Sequence, residues 1–441
     1  MEKKALVFGM GVSGLSALKL LMERGFCVTA ISSGPTQDWK YRKEIEAYGA
    51  RVVCLSEKDA MQEFPDAQFA VLSPGISRQH PLVTHFGEQK IEVISEIELG
   101  FRFFEGQAKI VAITGSNGKT TTCKLLTHLL KSCQKKVFCG GNIGDGFCEF
   151  IASEADVDVM VLELSSFQLE SIRDFHPDVA VILNMTPTHM ERYNHFEDYA
   201  KAKWNLASAL HADDTLIYNS DSELMGHWSK FIKSKKITVG SEFVSSEYPK
   251  LGIEEFFHLK GEHSKQNLLF CLEVLTALNI DLHLNELKQS LDTFEGVGHR
   301  LERLSSGVQF EVYNDAKSTN FFSTKKAIEA LLVDGAISLV LGGKLRSDSI
   351  IPSEQIEFYK ASVEQILLIG ESSSSYSQAF GKCDKVFVLD DLEGLSNFIN
   401  EGRLQAKILL FSPAHPSFDQ FKNYVDRGEQ FKKMVALLGP K

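Results

Sequence analysis

The sequence predicts an α/β protein built as three successive domains, and three observations carry that prediction. Short apolar, β-rich runs alternate with stretches of helical character almost throughout the chain, as repeated parallel strand–helix units require. The runs collect into three groups, parted by a helical stretch and by a glycine-rich loop. At 441 residues the chain is also too long for one ordinary core, so about three domains are expected.

The first group is "ALVFG", "CVTAI", "RVVC", "FAVLS" and "IEVIS", between residues 5 and 95. The helical segment "SEIELGFRFFEGQAK" (95–109) marks a boundary. The second group opens with "KIVAIT" and continues through "KVFCG", "VMVLELSS", "VAVILN", "TLIYN" and "KITVG". A helix beginning near His263, "HSKQNLLFCLEVLTAL", follows with apolar residues at helical spacing. The loop "FEGVGHRLE" (294–302), whose glycines permit a hinge, precedes the third group: "VQFEVYND", "ISLVLGG", "QILLIG", "KVFVLD" and "KILLFS". Domains are therefore expected at 1–95, 96–298 and 299–441.

Composition narrows the function classes. Hydrophobic residues make up 44% and charged residues 24%, as in soluble globular chains. A net charge of −11 argues against nucleic acid or an anionic membrane as the main partner, but leaves room for small anionic substrates. The start, "MEKKALVFGMGVSGLSALKLL", reads as strand, turn and helix rather than a secretion signal, because closely spaced glycines and Lys19 interrupt it. No apolar run is long enough to span a membrane. The eight cysteines are scattered without a CxxC pair, as reduced thiols in a cytoplasmic protein would be.

Two glycine-rich turns carry chemistry. "IVAITGSNGKTTT" (110–122) is a P-loop-type phosphate cradle, although Gly115 stands two residues too close to Gly118 for the strict spacing. A strand feeds the turn and a helix starts at about Lys119, so backbone N–H groups and the helix N-terminus face an anion. Lys119 supplies a point charge and the Thr120 hydroxyl can reach Mg²⁺. Glu163, at the end of an apolar strand one strand after this loop, is costly there unless a cation or donor meets it. The other turn, Gly9, Gly11 and Gly14 in "VFGMGVSGLSA", matches a dinucleotide fingerprint. The acid that such a site needs after the next strand is absent, since Ser32 and Ser33 stand there. The turn can take a phosphate, but hydride chemistry is poorly supported.

Nine blocks together say more than either loop: "TGSNGKTTT", "GGNIG", "LELSSFQLE", "NMTPTHMERY", "AKAKW", "GEHSKQN", "HRLE", "NDAKSTN" and "SPAHPSFDQFKNYVDRGEQFK". In this order and over essentially the whole chain they resemble the Mur ligases. The resemblance implies an N-terminal Rossmann-like domain, a central ATPase domain and a C-terminal Rossmann-like domain. It also implies an activity: ATP phosphorylates a carboxylate, and the amine of an amino acid captures the acyl phosphate as an amide.

Site roles follow from the same resemblance. ATP would meet Gly115, Ser116, Asn117, Gly118, Lys119, Thr120, Thr121, Asn267, Arg300 and Asp315, with Lys317 beside the transferring phosphoryl group. Two Mg²⁺ would be held by Thr120, Glu163, His189 and Lys203. The resemblance makes Lys203 a carbamylated lysine, with Lys201 as second choice; by itself it would read as a solvated helix lysine. Lys119, His189, Lys203 and Lys317 are the implied catalytic residues. The last block implies D-glutamate as amino acid, held by Thr319, Arg346 (or Lys344), Ser417, Phe418 and Tyr424. It implies UDP-N-acetylmuramoyl-L-alanine as carboxylate substrate, held by Val12, Ser13, Ser73, Pro74, Gly75, Asn142 and His189. Ser32–Gly34 depart from the family pattern at the uridine end. The partners expected are these small molecules, with no nucleic acid, no membrane span and a monomeric chain. Rival readings are another ligase of the same family adding a different amino acid, a folylpolyglutamate-type ligase, a P-loop nucleotidase and, from the first turn, an NAD enzyme.

Overall fold

The computed structural model describes residues 2–438 apart from 63–65, 189, 191, 258, 295, 305–306 and 346–350. Three sheets form. The first holds β1 (Lys4–Phe8), β2 (Cys27–Ser32), β3 (Val52–Ser56), β4 (Phe69–Leu72) and β5 (Glu92–Ser95), ordered β3-β2-β1-β4-β5 and parallel throughout. β1 reads as an unbroken apolar run because both its faces are covered. Ala5 and Val7 pack with Leu18 and Leu21 of the helix Val12–Glu23, while Leu6 and Phe8 pack with Leu82 and Phe86 on the other side. The chain reverses its winding direction between β1 and β4, which opens a crevice beyond their carboxyl ends.

The second sheet holds β6 (Lys109–Thr114), β7 (Val137–Gly141), β8 (Val159–Glu163), β9 (Val179–Ile182), β10 (Thr215–Tyr218) and β11 (Lys235–Thr238). Its order is β11-β10-β9-β6-β8-β7, again parallel. β7 intervenes between β6 and β8 in sequence, yet β8 lies directly beside β6 in the sheet. The third sheet holds β12 (Glu302–Leu304), β13 (Glu311–Asn314), β14 (Ile337–Gly342), β15 (Gln365–Ile369), β16 (Val386–Asp390) and β17 (Ile408–Ala414), ordered β12-β13-β17-β14-β15-β16. All of its pairings are parallel except β12 with β13. The three-residue β12 lies in what the sequence reads as a loop, because "ERL" shows no apolar alternation.

Residues 1–256 and 265–292 form one compact unit holding the first two sheets; residues 257–264 and 293–441 form the other. Within the first unit two buried glutamates bind the helix Glu96–Arg102 to its surroundings. Glu96 Oε1 accepts from Ser16 Oγ at 2.9 Å and from the Cys148 N–H at 2.6 Å. Glu98 Oε2 accepts from the backbone of Arg173 and Phe175 at 2.7 and 3.0 Å, and Arg102 Nε closes on Oε1 at 2.8 Å. Buried carboxylates persist only when satisfied in this way.

Candidate active site

β6 is buried along its apolar length, and at its end the chain turns through Gly115–Gly118 into the helix Lys119–Ser132. Gly118, the N-cap, has φ +83°, a conformation costly for any residue with a side chain. The segment after β9 pins the loop from beside. Asn184 Oδ1 accepts from Asn117 N at 2.9 Å while Asn184 Nδ2 donates to the Asn117 carbonyl at 3.1 Å. Ser116 Oγ donates to the Thr186 carbonyl at 2.9 Å and meets Tyr199 OH at 2.8 Å. Lys119 Nζ donates to the loop carbonyls of Gly115 and Ser116 at 2.6 and 3.2 Å. Asn267 packs against the loop, since a Cβ on Gly118 would come within 3.0 Å of its Oδ1. Thr121 follows in the first helical turn, whose N–H groups favour an anion.

An oxygen-rich cluster lies at the neighbouring strand end. Thr120 Oγ1 donates to Glu163 Oε2 at 2.8 Å, and Asn142 Nδ2 to Oε1 at 3.3 Å. Lys203, on the helix Phe196–Ser208, is 2% exposed. Its amine donates to Thr114 Oγ1 at 3.5 Å and lies 4.8 Å from the centre of the Tyr199 ring. Burial, reinforced by the like charge of Lys119, pushes that amine well below the ordinary lysine value, against the pull of Glu163. Lys201 is exposed on the same helix, so of the two lysines only Lys203 is turned inward among these groups.

The first glycine turn closes on β4. Gly9 has φ +96°, and Ser73 Oγ donates to its carbonyl at 2.6 Å. Gly14 packs so tightly that a Cβ there would lie 2.0 Å from the Gly9 carbonyl oxygen, whereas one on Gly11 would meet open space. Val12 is exposed and Ser13 half-buried at the head of the following helix. Ser32 Oγ accepts from Met10 N at 3.4 Å. The Ser73–Gly75 turn is joined to the "THMERY" segment by Arg192, which donates to the Pro74 and Ile76 carbonyls at 2.7 and 3.1 Å and pairs with Glu170 at 2.9 Å. A polar cavity of about 280 Å³ lies there, lined in part by Arg78, Glu170, Tyr193, Lys201 and Asn205.

The second unit gathers its polar groups at the carboxyl ends of β13 and β17. Asp315 is buried, accepting from Ser318 Oγ at 2.5 Å, Ser412 Oγ at 2.7 Å and Leu301 N at 3.1 Å. Burial dominates over these donors and nearby Arg300 and pushes its carboxyl up to about 6. Lys317 Nζ stands 5.1 Å from the centre of the Tyr424 ring. Thr319 is half-buried, Ser417 buried and Phe418 exposed. Lys344 N donates to the Pro416 carbonyl at 2.8 Å.

His189 and Arg346 lie outside the described residues. Three side chains that organise these loops carry no role in the sequence reading: Asn184, Arg192 and Arg427. Arg427 is 1% exposed and donates to the His415 and Ala316 carbonyls at 2.9 and 2.7 Å, tying the 315–319 and 415–418 loops together. Each stands in or beside a quoted block, and a polar residue just past an apolar strand is the signal that picks out Asn184.

A model of the Mur ligase middle domain matches residues 113–275, and one of the Mur ligase MurD-like N-terminal domain matches residues 3–95. The chain is 33% identical to the UDP-N-acetylmuramoylalanine--D-glutamate ligase of Geotalea uraniireducens (strain Rf4), over 99% of this chain and 98% of that one. It is 30% identical to the protein of the same name from Streptococcus agalactiae serotype III (strain NEM316), over 98% and 96%. In fold it is similar to the MurF ligase of Thermotoga maritima solved with ADP, at a TM-score of 0.61 and 17% identity, covering 98% and 95% of the two chains. A folylpolyglutamate synthase of Mycobacterium tuberculosis follows the fold over 74% of this chain and 91% of its own, at a TM-score of 0.55 and 14% identity. The chain belongs to the Mur ligase family.

Proposed function

We infer that the protein is an ATP-dependent ligase that joins D-glutamate to UDP-N-acetylmuramoyl-L-alanine, releasing ADP and phosphate, in peptidoglycan precursor synthesis. The full-length likeness to ligases of that name carries the reading. The reaction has two bond exchanges. A carboxylate oxygen of the substrate takes the γ-phosphoryl group from ATP, with ADP leaving. The D-glutamate amine then attacks the acyl carbon, phosphate leaves, and the amine loses a proton.

The chain's own groups answer the main difficulty, which is charge. We assign the ATP phosphates to the backbone of Gly115–Thr121 and to Lys119, with Asn267, Arg300 and Asp315 as further ATP contacts and Lys317 beside the transferring phosphoryl group. Thr120 and Glu163 offer buried oxygen donors close to the phosphate loop, a set suited to a hard cation. They, with His189 and carbamylated Lys203, would hold two Mg²⁺. When bound, these ions neutralise phosphate charge and polarise the transferring group.

A neutral amine is the form that adds CO₂, giving a carbamate and a proton, and the buried setting of Lys203 favours that form. We assign the uridine substrate to Val12, Ser13, Ser73–Gly75, Asn142 and His189, and D-glutamate to Thr319, Arg346, Ser417, Phe418 and Tyr424. We place the domains at 1–95, 96–298 and 299–441, with 257–264 and 293–298 belonging to the same compact unit as the last of them. Among the described residues no helix is long and apolar enough to cross a membrane; the enzyme is read as a cytoplasmic monomer.

A mass-based assay with ATP, UDP-N-acetylmuramoyl-L-alanine and a panel of D- and L-amino acids tests the reading. Product with D-glutamate alone is expected. Transfer of ¹⁸O from the substrate carboxylate into released phosphate is expected too, and its absence overturns the acyl-phosphate route.

A further inference from the structure

We propose that His176, His211 and Asp214 form a binding site for a divalent transition-metal ion of the zinc class, at the opposite edge of the second sheet from its phosphate loop. His176 lies in the turn leading into β9, and Asp214 immediately precedes β10. Those strands are parallel neighbours, with Val179 paired to Thr215, so the turns that enter them lie side by side. The phosphate loop follows the carboxyl end of β6, and this cluster sits at the amino ends. None of its residues has a role in the ligase reading.

The geometry is that of ligands rather than of an ordinary hydrogen-bonded histidine. The His176 ring packs edge-on against Phe101, with centroids 5.2 Å apart, and follows the fully buried Phe175. Its Nδ1 is shut off from solvent and has no hydrogen-bond partner, although Asp214 Oδ2 is only 3.6 Å away. That separation is too long for a hydrogen bond. It is close to the roughly 3.4 Å between two ligand atoms of one tetrahedral zinc with bonds near 2.1 Å. A buried polar nitrogen left so is costly, and an ion between the two atoms removes the cost.

His211 supplies the third donor. Its ring lies 3.8 Å from that of His176, centroid to centroid, and one ligand atom from each of the three residues falls within 4.8 Å of the others. His211 is exposed, so its ring can turn to complete the triangle. The Asp214 carboxylate is oriented by the His211 backbone N–H, which donates to Oδ2 at 2.6 Å. The nearby cation Lys109 is engaged by Asp178 at 2.6 Å. Two imidazole nitrogens and one carboxylate favour zinc, cobalt or nickel over Mg²⁺ or Ca²⁺, which select oxygen. Bound there, the ion would clamp the turns entering β9 and β10 and leave a coordination position for water.

The full chain is titrated calorimetrically with ZnCl₂, and its visible spectrum is followed with Co²⁺, for wild type, His211→Ala, Asp214→Asn and Glu163→Gln. One equivalent of zinc and cobalt d–d bands are expected in wild type, with a thermal midpoint raised by zinc. His211→Ala, an exposed substitution that keeps the backbone N–H, is expected to weaken zinc binding at least about tenfold and to abolish the bands. Asp214→Asn is expected to do the same, and Glu163→Gln to leave both intact. Coincident titrations for wild type and His211→Ala overturn the proposal. So does binding that Glu163→Gln removes, because the ion then belongs to the phosphate-loop cluster.

Discussion

The Thr120 hydroxyl donates a 2.8 Å hydrogen bond to Glu163 Oε2, linking the first turn of the helix after the phosphate loop to the end of the adjacent strand β8. Both groups are buried, and Asn142 supports the other carboxylate oxygen. Glu163→Gln keeps the shape and removes the charge. The expected outcome is a fall of at least about 100-fold in kcat/KM, with a raised Mg²⁺ requirement and little change in fold, since removing even an outer-shell partner of a metal ligand costs up to that much. Steady-state kinetics across a Mg²⁺ series checks it; an unchanged Mg²⁺ dependence counts against the assigned role.

Lys203 links stability to pH. Its amine is held well below the ordinary lysine value of 10.5, so the folded chain binds fewer protons there than the unfolded chain in the window between the two values. Stability therefore rises with pH through that window. Lys203→Met removes the penalty. In CO₂-free buffer at pH 7 the variant is expected to melt at least about 2 °C above wild type. The gap narrows as pH approaches 10, and ligase activity is lost. Lys203→Ala should regain part of its activity with added short carboxylates. Differential scanning calorimetry and the product assay check these outcomes.

What the sequence reveals divides along physical lines. Buried parallel strands are apolar on both faces, so the inner strands of the first two sheets are visible as runs such as "VMVLE" or "KIVAIT". β12 is not, because its three residues "ERL" are too short and too polar to stand out as an apolar run. The phosphate loop is legible because strand, glycines and helix must follow one another in the chain. The proximity of Glu163 to Thr120 is not, since it depends on β8 rather than β7 lying beside β6. Lys203 shows the same limit: nothing in "AKAKW" says which lysine turns inward, and helix packing decides it. Arg427 passes for a surface residue in a charged helix, yet it spends its guanidinium on two loop carbonyls.

Asp315 gives a dependence of opposite sign. Burial raises its carboxyl from 3.8 to about 6, so the folded state binds more protons than the unfolded state between those values. The contribution to stability is full below about pH 4 and is lost as pH rises towards 6. Asp315→Asn abolishes that titration. The stability of wild type minus that of the variant is expected to fall by up to roughly 3 kcal/mol across the window. Denaturant melts at pH 4, 5, 6 and 7 measure it, and a flat difference contradicts the burial argument.

Gly14 and Gly11 make a matched pair for testing the first turn. A methyl group on Gly14 would stand 2.0 Å from the Gly9 carbonyl oxygen and 3.2 Å from Ser73 Oγ, so backbone must move. That carbonyl is the atom Ser73 holds at 2.6 Å, and displacing it shifts the turn against Ser73–Gly75. Gly11 has φ −86° and nothing within 4 Å of its missing Cβ. Gly14→Ala is therefore expected to cost about 1–3 kcal/mol of stability and to raise KM for the uridine substrate. ATP affinity should hold, because the second phosphate loop lies on another sheet. Gly11→Ala should leave stability near wild type. If its KM for the uridine substrate rises all the same, the methyl group has met the ligand itself, which places the substrate diphosphate over Gly11; if both variants keep a normal KM, the turn is a packing device and its assignment to the substrate falls.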